Sequence, residues 1–499
     1  MKNKDGFQNK ENAHVQRQGK YVYRYLSDLI LTAVVSTMFF VVWYRFVSRN
    51  NHTGMLLGLG NLTMSITIYT GMVVWSIHTL GGYRIGVSRM MNLIAAQSLG
   101  LMFANIIDIF VSMAVTGQFR YGPIFLREYF MLWVVQSVVC GFLTAGMVNL
   151  YRRLFPPLQI IEIYGDYLNH LYRKVNTLPY KYHVCKLLKC TEEEAVIRSE
   201  IQKYDAVLVN DMPSHIKNRI LKICFDLDKR VYFIPKLSDI IVKSSDDLNL
   251  FDTPLCLCRN IGMTYWDKAI KRFFDVLLSS VALIMTSPLL LTTAAAIKIE
   301  DHGPVFFRQE RVTENGRRFM ILKFRSMIVD AEKDNRTHPA TDQDPRITKV
   351  GRVIRSTRID ELPQIINILK GDMSIVGPRP ERWEHVDEYT ADIPEFRFRQ
   401  KVKGGLTGYA QVYGKYNTSA LDKLKLDLMY IENYSLLLDF QIICETVRVL
   451  FQKEATEGFT EEDAKRLHDV DGFGEVEKKD IEQCGDQGEE EKALQVEQE

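Results

Sequence analysis

The stretch VLLSSVALIMTSPLLLTTAAAI, Val276 to Ile297, runs 22 residues without a charge. Whether it crosses a membrane decides how the rest of this 499-residue chain is arranged. Its length suffices for a span, since a bilayer core takes about 20 apolar residues in a helix. Two features argue against a crossing. Ser287-Pro288 lies at its centre, where proline removes a helical hydrogen bond and pushes the preceding residue out of the helical region. Both flanks are basic, with Lys268, Lys271 and Arg272 before it and Lys298, Arg308, Arg311, Arg317 and Arg318 after it. Positive charge on both sides suits two cytoplasmic ends. The reading is a re-entrant helix-break-helix that dips into one leaflet, with Ser287 and Pro288 as the break. A kinked span is the alternative, and it would leave everything after Ile297 on the far side from nucleotide substrates.

Upstream, four more charge-free runs occupy Leu29–Tyr44, Gly54–Leu80, Met90–Ile107 and Tyr129–Tyr151. Trp43, Tyr44, Tyr83 and Tyr129 stand near their ends, where interfacial aromatics belong. No small-residue cleavage site follows the first run, so a secretory signal is not expected. Lys2, Lys4, Lys10, Arg17, Lys20 and Arg24 crowd the first 24 residues and place the N-terminus in the cytoplasm. Four crossings return the chain there at Arg152-Arg153. Asp108, at the end of the third run, reads as a hydrated helix end rather than an intramembrane acid.

The averages conceal this division. With 46% hydrophobic and 25% charged residues and a mean hydropathy of −0.10, the composition excludes a collagen, a disulfide miniprotein, a wholly disordered chain and a pure membrane bundle. The net charge of +2 hides 17 acidic against 6 basic residues from Lys453 to Glu499, a local −11 that leaves +13 on the remainder. The basic body suits phosphates, nucleotides or anionic headgroups. The tail reads as disordered and solvating. The eight cysteines have no metal or disulfide spacing and are read as free thiols.

Between about 157 and 262 the pattern becomes strands alternating with helices. Gln159–Ile163, Tyr182–Cys185, Asp205–Val209 and Arg230–Ile234 are strand-like. Thr191 with Glu194 forms a capping box opening a helix through Lys203, and a second helix runs from Ser214 to Leu227. This predicts a small parallel α/β sheet. Its first turn offers only Gly165, without the G-x-G-x-x-G phosphate fingerprint, so a structural or regulatory role is favoured over a nucleotide site.

Beyond Ile297 the chain is basic and rich in motifs. Asp360-Glu361 precede an apolar run, Leu362–Leu369, that ends at Lys370-Gly371 like a helix C-cap. Asp360 as a plain N-cap is the simpler reading. Yet Arg355 and Arg358 lie within five residues, and Arg379 follows the Gly377-Pro378 turn. Guanidinium groups around a helix start make a phosphate site. A carboxylate among cations is favoured in its ionised form and can attack phosphorus. Its neighbour can hold Mg²⁺, which takes one or two carboxylates plus phosphate oxygens.

The pieces KRFFD (Lys271–Asp275), GPVFFRQER (Gly303–Arg311), KFR (Lys323–Arg325), DELPQ (Asp360–Gln364), KGDMSIVGPRP (Lys370–Pro380) and GLTGYAQ (Gly405–Gln411) occur in order. From Lys271 to about Phe451 the chain resembles the bacterial sugar transferases, the polyprenyl-phosphate phosphoglycosyltransferases. With its four upstream spans it resembles their large form. The fold implied is membrane α plus α/β: a basic cytoplasmic N-terminus (1–24), four transmembrane helices (25–152), a degenerate Rossmann-like domain (157–262), the re-entrant hairpin with its catalytic domain (266–452), and the disordered tail (453–499).

The resemblance implies that Asp360 attacks a UDP-sugar, releasing UMP, and that undecaprenyl phosphate then takes the phosphosugar. Such a step initiates exopolysaccharide, capsule or O-antigen-type glycan assembly at the cytoplasmic face of the bacterial inner membrane. Glu361 would ligate Mg²⁺. Lys323, Arg355 and Arg379 align with phosphate-contacting positions, with Arg325 and Gln364 in support. Arg358 is less secure, since serine often stands at that place. No nucleic-acid partner is implied, and a homo-oligomer is compatible. Two alternatives stay open: a glycosyltransferase releasing UDP with Asp360 as general base, and a non-catalytic scaffold for polysaccharide assembly.

Overall fold

The computed structural model describes residues 2–50, 58–117, 119–165, 171–250, 252–258, 262–329, 344, 346–414 and 418–450. The acidic tail lies outside the described residues. The chain divides into two compact units, the first running to Ile234 and the second beginning at Pro235.

The first unit opens with four helices: α1 (Lys2–Val42), α2 (Leu59–Thr79), α3 (Met90–Thr116) and α4 (Gly122–Leu154). Their shared core contains Val35, Phe39, Tyr69, Val73, Leu101, Phe125 and Tyr129, with Phe39 stacked on Tyr69 at 3.8 Å. The outward residues are apolar, among them Phe110, Leu126, Phe130, Met131 and Phe142. Polar residues are turned inward: the Asn105 amide donates to Gln136 (3.0 Å) and the Gln136 amide to the Tyr69 hydroxyl (3.0 Å). That inside-out distribution is what lipid surroundings require.

The segments Gln18–Val47, Met90–Thr116 and Phe119–Leu154 are long and apolar enough to cross a membrane. Helix α2 forms as expected, over 21 residues. It is not among the helices meeting that measure, because Asn61, His78 and several Thr and Ser dilute its apolar content. Asp108 corrects the sequence reading. It is fully buried within α3 rather than at a hydrated end, and the Tyr129 hydroxyl donates to it at 2.5 Å.

After the bundle come β1 (Leu158–Tyr164), α5 (Leu171–Asn176), β2 (Tyr182–Lys189), α6 (Glu194–Lys203), β3 (Ala206–Val209), α7 (Ser214–Asp226) and β4 (Arg230–Phe233). The strands form one sheet in the order β2-β1-β3-β4, with every pairing parallel. The predicted Thr191–Glu194 capping box does not form. Helix α6 begins two residues later than a Thr191 cap requires, with Glu193 as its N-cap and no side-chain bond there. A Cβ on Gly165 would lie 2.3 Å from the Asp211 carbonyl oxygen, so the chain's own backbone fills the space beside the first turn. Among the described residues the cysteines are free.

The second unit contains α8 (Leu237–Lys243), β5 (Asp246–Leu250), β6 (Thr253–Leu257), α9 (Tyr265–Asp301), β7 (Phe306–Val312), β8 (Arg318–Phe324), α10 (Lys349–Ser356), α11 (Gln364–Lys370), β9 (Ser374–Val376), α12 (Trp383–Asp392), β10 (Gly405–Thr407), α13 (Tyr409–Tyr413), α14 (Ala420–Glu432) and α15 (Leu436–Leu450). Helix α9 is the fourth segment long and apolar enough to span a membrane. The expected interruption at Ser287-Pro288 is not a gap in the helix, which runs continuously through Pro288. The reason is local. Proline removes the N–H that would bond the Ile284 carbonyl, and the Ser287 hydroxyl donates to that carbonyl instead at 2.8 Å, a repair that membrane helices permit.

Both halves of α9 are anchored to the same unit. Before the proline, Lys271 bonds Asp439 (2.5 Å) and Asp275 accepts the Ile375 N–H (3.0 Å). After it, Ile297 packs on Phe324 and Ile354, and Glu300 accepts the Lys349 N–H at the start of α10 (2.8 Å). The middle of the helix, including Ile284, Met285 and Leu291, is exposed and apolar.

Candidate active site

The site begins with the turn that carries Asp360 and Glu361. Helix α10 starts at the Thr348 hydroxyl, which accepts the Gly351 N–H (2.9 Å). Beyond it, Arg358 adopts the left-handed conformation with φ 58° and redirects the chain. Ile359–Glu361 then form one 3-10 turn. Pro363 explains the tight winding: it has no N–H for the Ile359 carbonyl, which bonds Leu362 at 3.1 Å instead. Asp360 is therefore not the N-cap of α11; that place falls to Pro363. Helix α11 ends, as expected, at Gly371 in the left-handed region, φ 91°.

Two contacts fasten α11 beside the β7–β8 hairpin. The Asn367 side chain accepts the Leu322 N–H and donates to the Met320 carbonyl, both at 2.9 Å, imitating one rung of a strand. Arg272, from α9, donates to the Ile368 and Leu369 carbonyls at 2.6 and 2.8 Å. A guanidinium on the terminal carbonyls also complements the helix dipole.

This docking brings β8 under the turn. The Lys323 ammonium donates to Glu361 Oε1 at 2.8 Å, and Arg379 Nη2 donates to the same oxygen at 2.9 Å. Burial opposes ionisation of Glu361, but Arg379 and Lys323 overcome it and hold its carboxyl well below the usual range. Burial pushes the Lys323 ammonium down, whereas Glu361 pushes Arg379 up.

Asp360 is different. Burial, and next the charge of Glu361, raise its carboxyl above the ordinary range, against the pull of Lys323, Arg358 and Arg355. The sequence reading had its ionised form favoured by those cations. Desolvation outweighs them. Its Oδ1 is buried and has no hydrogen-bond partner.

Lys323, Arg355, Arg358, Asp360, Glu361 and Arg379 thus gather around one turn. Gln364 opens α11 and is buried. Arg325 points elsewhere, its buried guanidinium forming an ion pair with the exposed Asp301 at the end of α9. Ser287 and Pro288 lie far along α9 from the turn in sequence and contribute only to its membrane segment.

Sequence reasoning missed the frame behind Arg379. Arg399 Nη2 donates to the Arg379 carbonyl at 3.1 Å, and Arg399 Nε donates to Asp427 Oδ2 at 2.6 Å. Arg311 donates to the Pro380 carbonyl at 3.2 Å; burial pushes its guanidinium down to about 10. Glu381 lies 3.9 Å from both arginines. The parallel strands β9 and β10 beneath lie backbone against backbone: a Cβ on Gly405 would stand 2.1 Å from the Gly377 nitrogen. The cavity behind Arg379, lined by Thr313, Phe396 and Arg399, encloses about 20 Å³, room for a water and not for a sugar.

Chemically, the turn presents a carboxylate oxygen with no partner beside cations already oriented by a second carboxylate. That arrangement can direct an anionic, phosphate-bearing molecule against Asp360.

Comparison with known proteins agrees with this reading. A family model described as bacterial sugar transferase matches residues 266–453. The UDP-N-acetylgalactosamine-undecaprenyl-phosphate N-acetylgalactosaminephosphotransferase of Aeromonas hydrophila is 36% identical over 337 residues, 65% of this chain and 75% of that protein. The UDP-glucose:undecaprenyl-phosphate glucose-1-phosphate transferase of Klebsiella pneumoniae is 40% identical over 245 residues, 46% of this chain and 50% of its own length. An uncharacterized sugar transferase of Bacillus subtilis is 39% identical over 207 residues, with 98% of it covered by 42% of this chain. The long apolar helices, the docked DELPQ turn and these relatives together mean that this multi-pass membrane chain belongs to the bacterial sugar transferase family.

Proposed function

We propose that the protein is an undecaprenyl-phosphate hexose-1-phosphate transferase, moving a sugar-1-phosphate from a UDP-sugar to undecaprenyl phosphate with release of UMP. The observation that carries this reading is the pair of neighbouring carboxylates in opposite states: Glu361 held through Oε1 by both Lys323 and Arg379, and Asp360 with an oxygen that has no hydrogen-bond partner. The names of the Aeromonas and Klebsiella relatives support the substrate class.

In the first step an Asp360 oxygen attacks the sugar-bearing phosphorus. The P–O bond to the uridylate phosphate breaks, and UMP leaves with the bridging oxygen and its electron pair. In the second step a phosphate oxygen of the lipid attacks the same phosphorus and expels the Asp360 carboxylate unchanged. Arg379 and Lys323 orient the diphosphate and offset its charge, while Arg355 and Arg358 extend the positive field toward the entering anion. Because burial raises the Asp360 carboxyl, it is a better nucleophile once ionised than a fully solvated aspartate.

Mg²⁺ fits the donors present. Among the described residues no three metal-ligating side chains cluster, but this ion needs only one or two carboxylates plus phosphate oxygens. Asp360 Oδ1 and the Glu361 carboxylate are the groups that would hold it, and when bound it neutralises charge on the diphosphate.

Anchoring of both halves of α9 to one unit supports a re-entrant membrane segment, and the basic N-terminus supports catalysis at the cytoplasmic face of the bacterial inner membrane. The proposed setting is initiation of exopolysaccharide, capsule or O-antigen-type glycan assembly.

The test is a panel of UDP-sugars with undecaprenyl phosphate, read by UMP release. The wild-type chain given nucleotide-sugar alone should gain the mass of one phosphosugar, and Asp360→Asn should lose both adduct and turnover by at least about a thousandfold. UDP release without an adduct would overturn the reading in favour of glycosyl transfer.

A further inference from the structure

A second polar site lies in the first unit, far in sequence from the DELPQ turn and independent of the activity proposed above. It is a cavity of about 240 Å³ between the middle of α1 and the end of α2 with the loop that follows it. Its charged lining consists of Arg24, Asp28 and Arg84, joined by His78, Tyr25 and Tyr83.

The depth follows from the sequence. Arg24 closes the basic N-terminal stretch, Asp28 stands immediately before the charge-free run that opens at Leu29, and tyrosines line the same cavity, as at a headgroup level. Lys20 and Lys181 are within electrostatic reach of Arg24 and add to the positive field.

Two of the lining groups are unsatisfied. Arg24 Nη2 donates to the Tyr151 hydroxyl at 3.3 Å, but its Nε is buried without a partner. Asp28 Oδ1 is likewise buried without a hydrogen-bond partner, while the Arg24 charge one turn away acts on the same carboxylate. The Tyr83 hydroxyl is already shared with Thr32 at 2.8 Å, so it does not satisfy the acid. A carboxylate beside two guanidinium groups in the lining of one cavity suits a ligand that brings both an anion and a hydrogen-bonding cation.

We propose that this cavity holds the headgroup of an aminophospholipid, with its phosphate on Arg24 and Arg84 and its primary ammonium on Asp28. The tyrosine faces suit the ammonium as well. A quaternary ammonium has no N–H for Asp28, and a glycerol headgroup has no cation for it. The cavity therefore selects phosphatidylethanolamine over phosphatidylcholine and phosphatidylglycerol.

The test uses the full-length chain in detergent, titrated with dioleoyl phosphatidylethanolamine, phosphatidylcholine or phosphatidylglycerol, with retained lipid counted by native mass spectrometry. The ethanolamine lipid should be held about tenfold more tightly than the other two, as befits one charge-assisted hydrogen bond. Asp28→Asn should bring it level with phosphatidylcholine. Arg84→Gln, a change at an exposed position that leaves the bundle core intact, should weaken ethanolamine and glycerol lipids alike. Equal retention of ethanolamine and choline lipids by the wild type would overturn the proposal, as would tighter binding of phosphatidylglycerol or an Arg84→Gln variant that retains ethanolamine lipid like the wild type. Displacement by excess inorganic phosphate would mark a simple phosphate site and equally overturn it.

Discussion

Asp427→Asn keeps the shape of the side chain and removes its charge, leaving the Arg399 guanidinium 6% exposed opposite a neutral amide. Removing one partner of a buried ion pair costs about 3–5 kcal/mol. Glu381, 3.9 Å from Arg399 Nη1, compensates in part and sets the expectation near the lower end, about 3 kcal/mol. For a unit of this size each kcal/mol lowers the melting temperature by about 2–4 °C, so the variant should melt about 6–12 °C below wild type. Burial pushes the Asp427 carboxyl up even against Arg399, so the pair is costly to assemble. Removing both charges, with Arg399→Met and Asp427→Leu, should then recover stability to within about 1 kcal/mol. Turnover separates the two effects, since the double variant still lacks the donor to the Arg379 carbonyl and should lose about three- to tenfold in kcat, the worth of one net hydrogen bond. Melting is followed by tryptophan fluorescence in detergent, and turnover by UMP release. A single variant melting within about 2 °C of wild type, or a double variant no more stable than the single one, would refute the argument.

The acid limb of kcat/KM should have its midpoint above about 4, the ordinary aspartate value, because Asp360 attacks only when ionised and its carboxyl is raised. Glu361 is depressed, so its contribution to stability is present above the usual glutamate range and is lost as pH falls through its lower folded value; a stability profile over acidic pH checks the sign. Asn367→Leu removes both bonds to β8 and should destabilise the second unit by about 1–3 kcal/mol, with a larger fall in turnover than in substrate affinity if α11 carries the turn out of reach of Lys323. Ser287→Ala leaves the Ile284 carbonyl without its donor and should cost about 1 kcal/mol, whereas cysteines placed at Lys268 and Lys298 should both react with an impermeant reagent only from the cytoplasmic side. Reaction of the second from outside would mean that α9 crosses.

Much of the scaffold was legible from short-range pattern. The four strands of the middle sheet, α6 and α7 were marked by alternation and by helical spacing, and the end of α11 by Lys370-Gly371. The Asp360-Glu361 turn and its arginines were legible because they lie close together in the chain. What was hidden depends on burial and on distant partners. Arg399 meets Asp427 across 28 positions and Asn367 meets Leu322 across 45, separations that no local window relates. Asp360 was read as surrounded by cations, which it is, but the degree of desolvation that reverses its shift exists only after folding. Asp108 was misplaced for the same reason: the end of a charge-free run is not the end of a helix, and α3 continues to Thr116. Ser287-Pro288 was read as a gap because the rule concerns backbone N–H groups alone, and the serine hydroxyl supplied the missing donor.

The close backbone approach of Gly377 and Gly405 has a practical consequence for altering which sugar is accepted. Arg379 hangs from a junction where neither strand can carry a side chain, so a randomised library at those positions would consist of misfolded members and sample no new preference. The helical turns from Arg382 to Lys401, whose side chains face both solvent and the arginine frame, have room to vary. Diversity introduced there changes what surrounds the phosphate grip while its pivot stays fixed, which is the more productive place to search for a new donor.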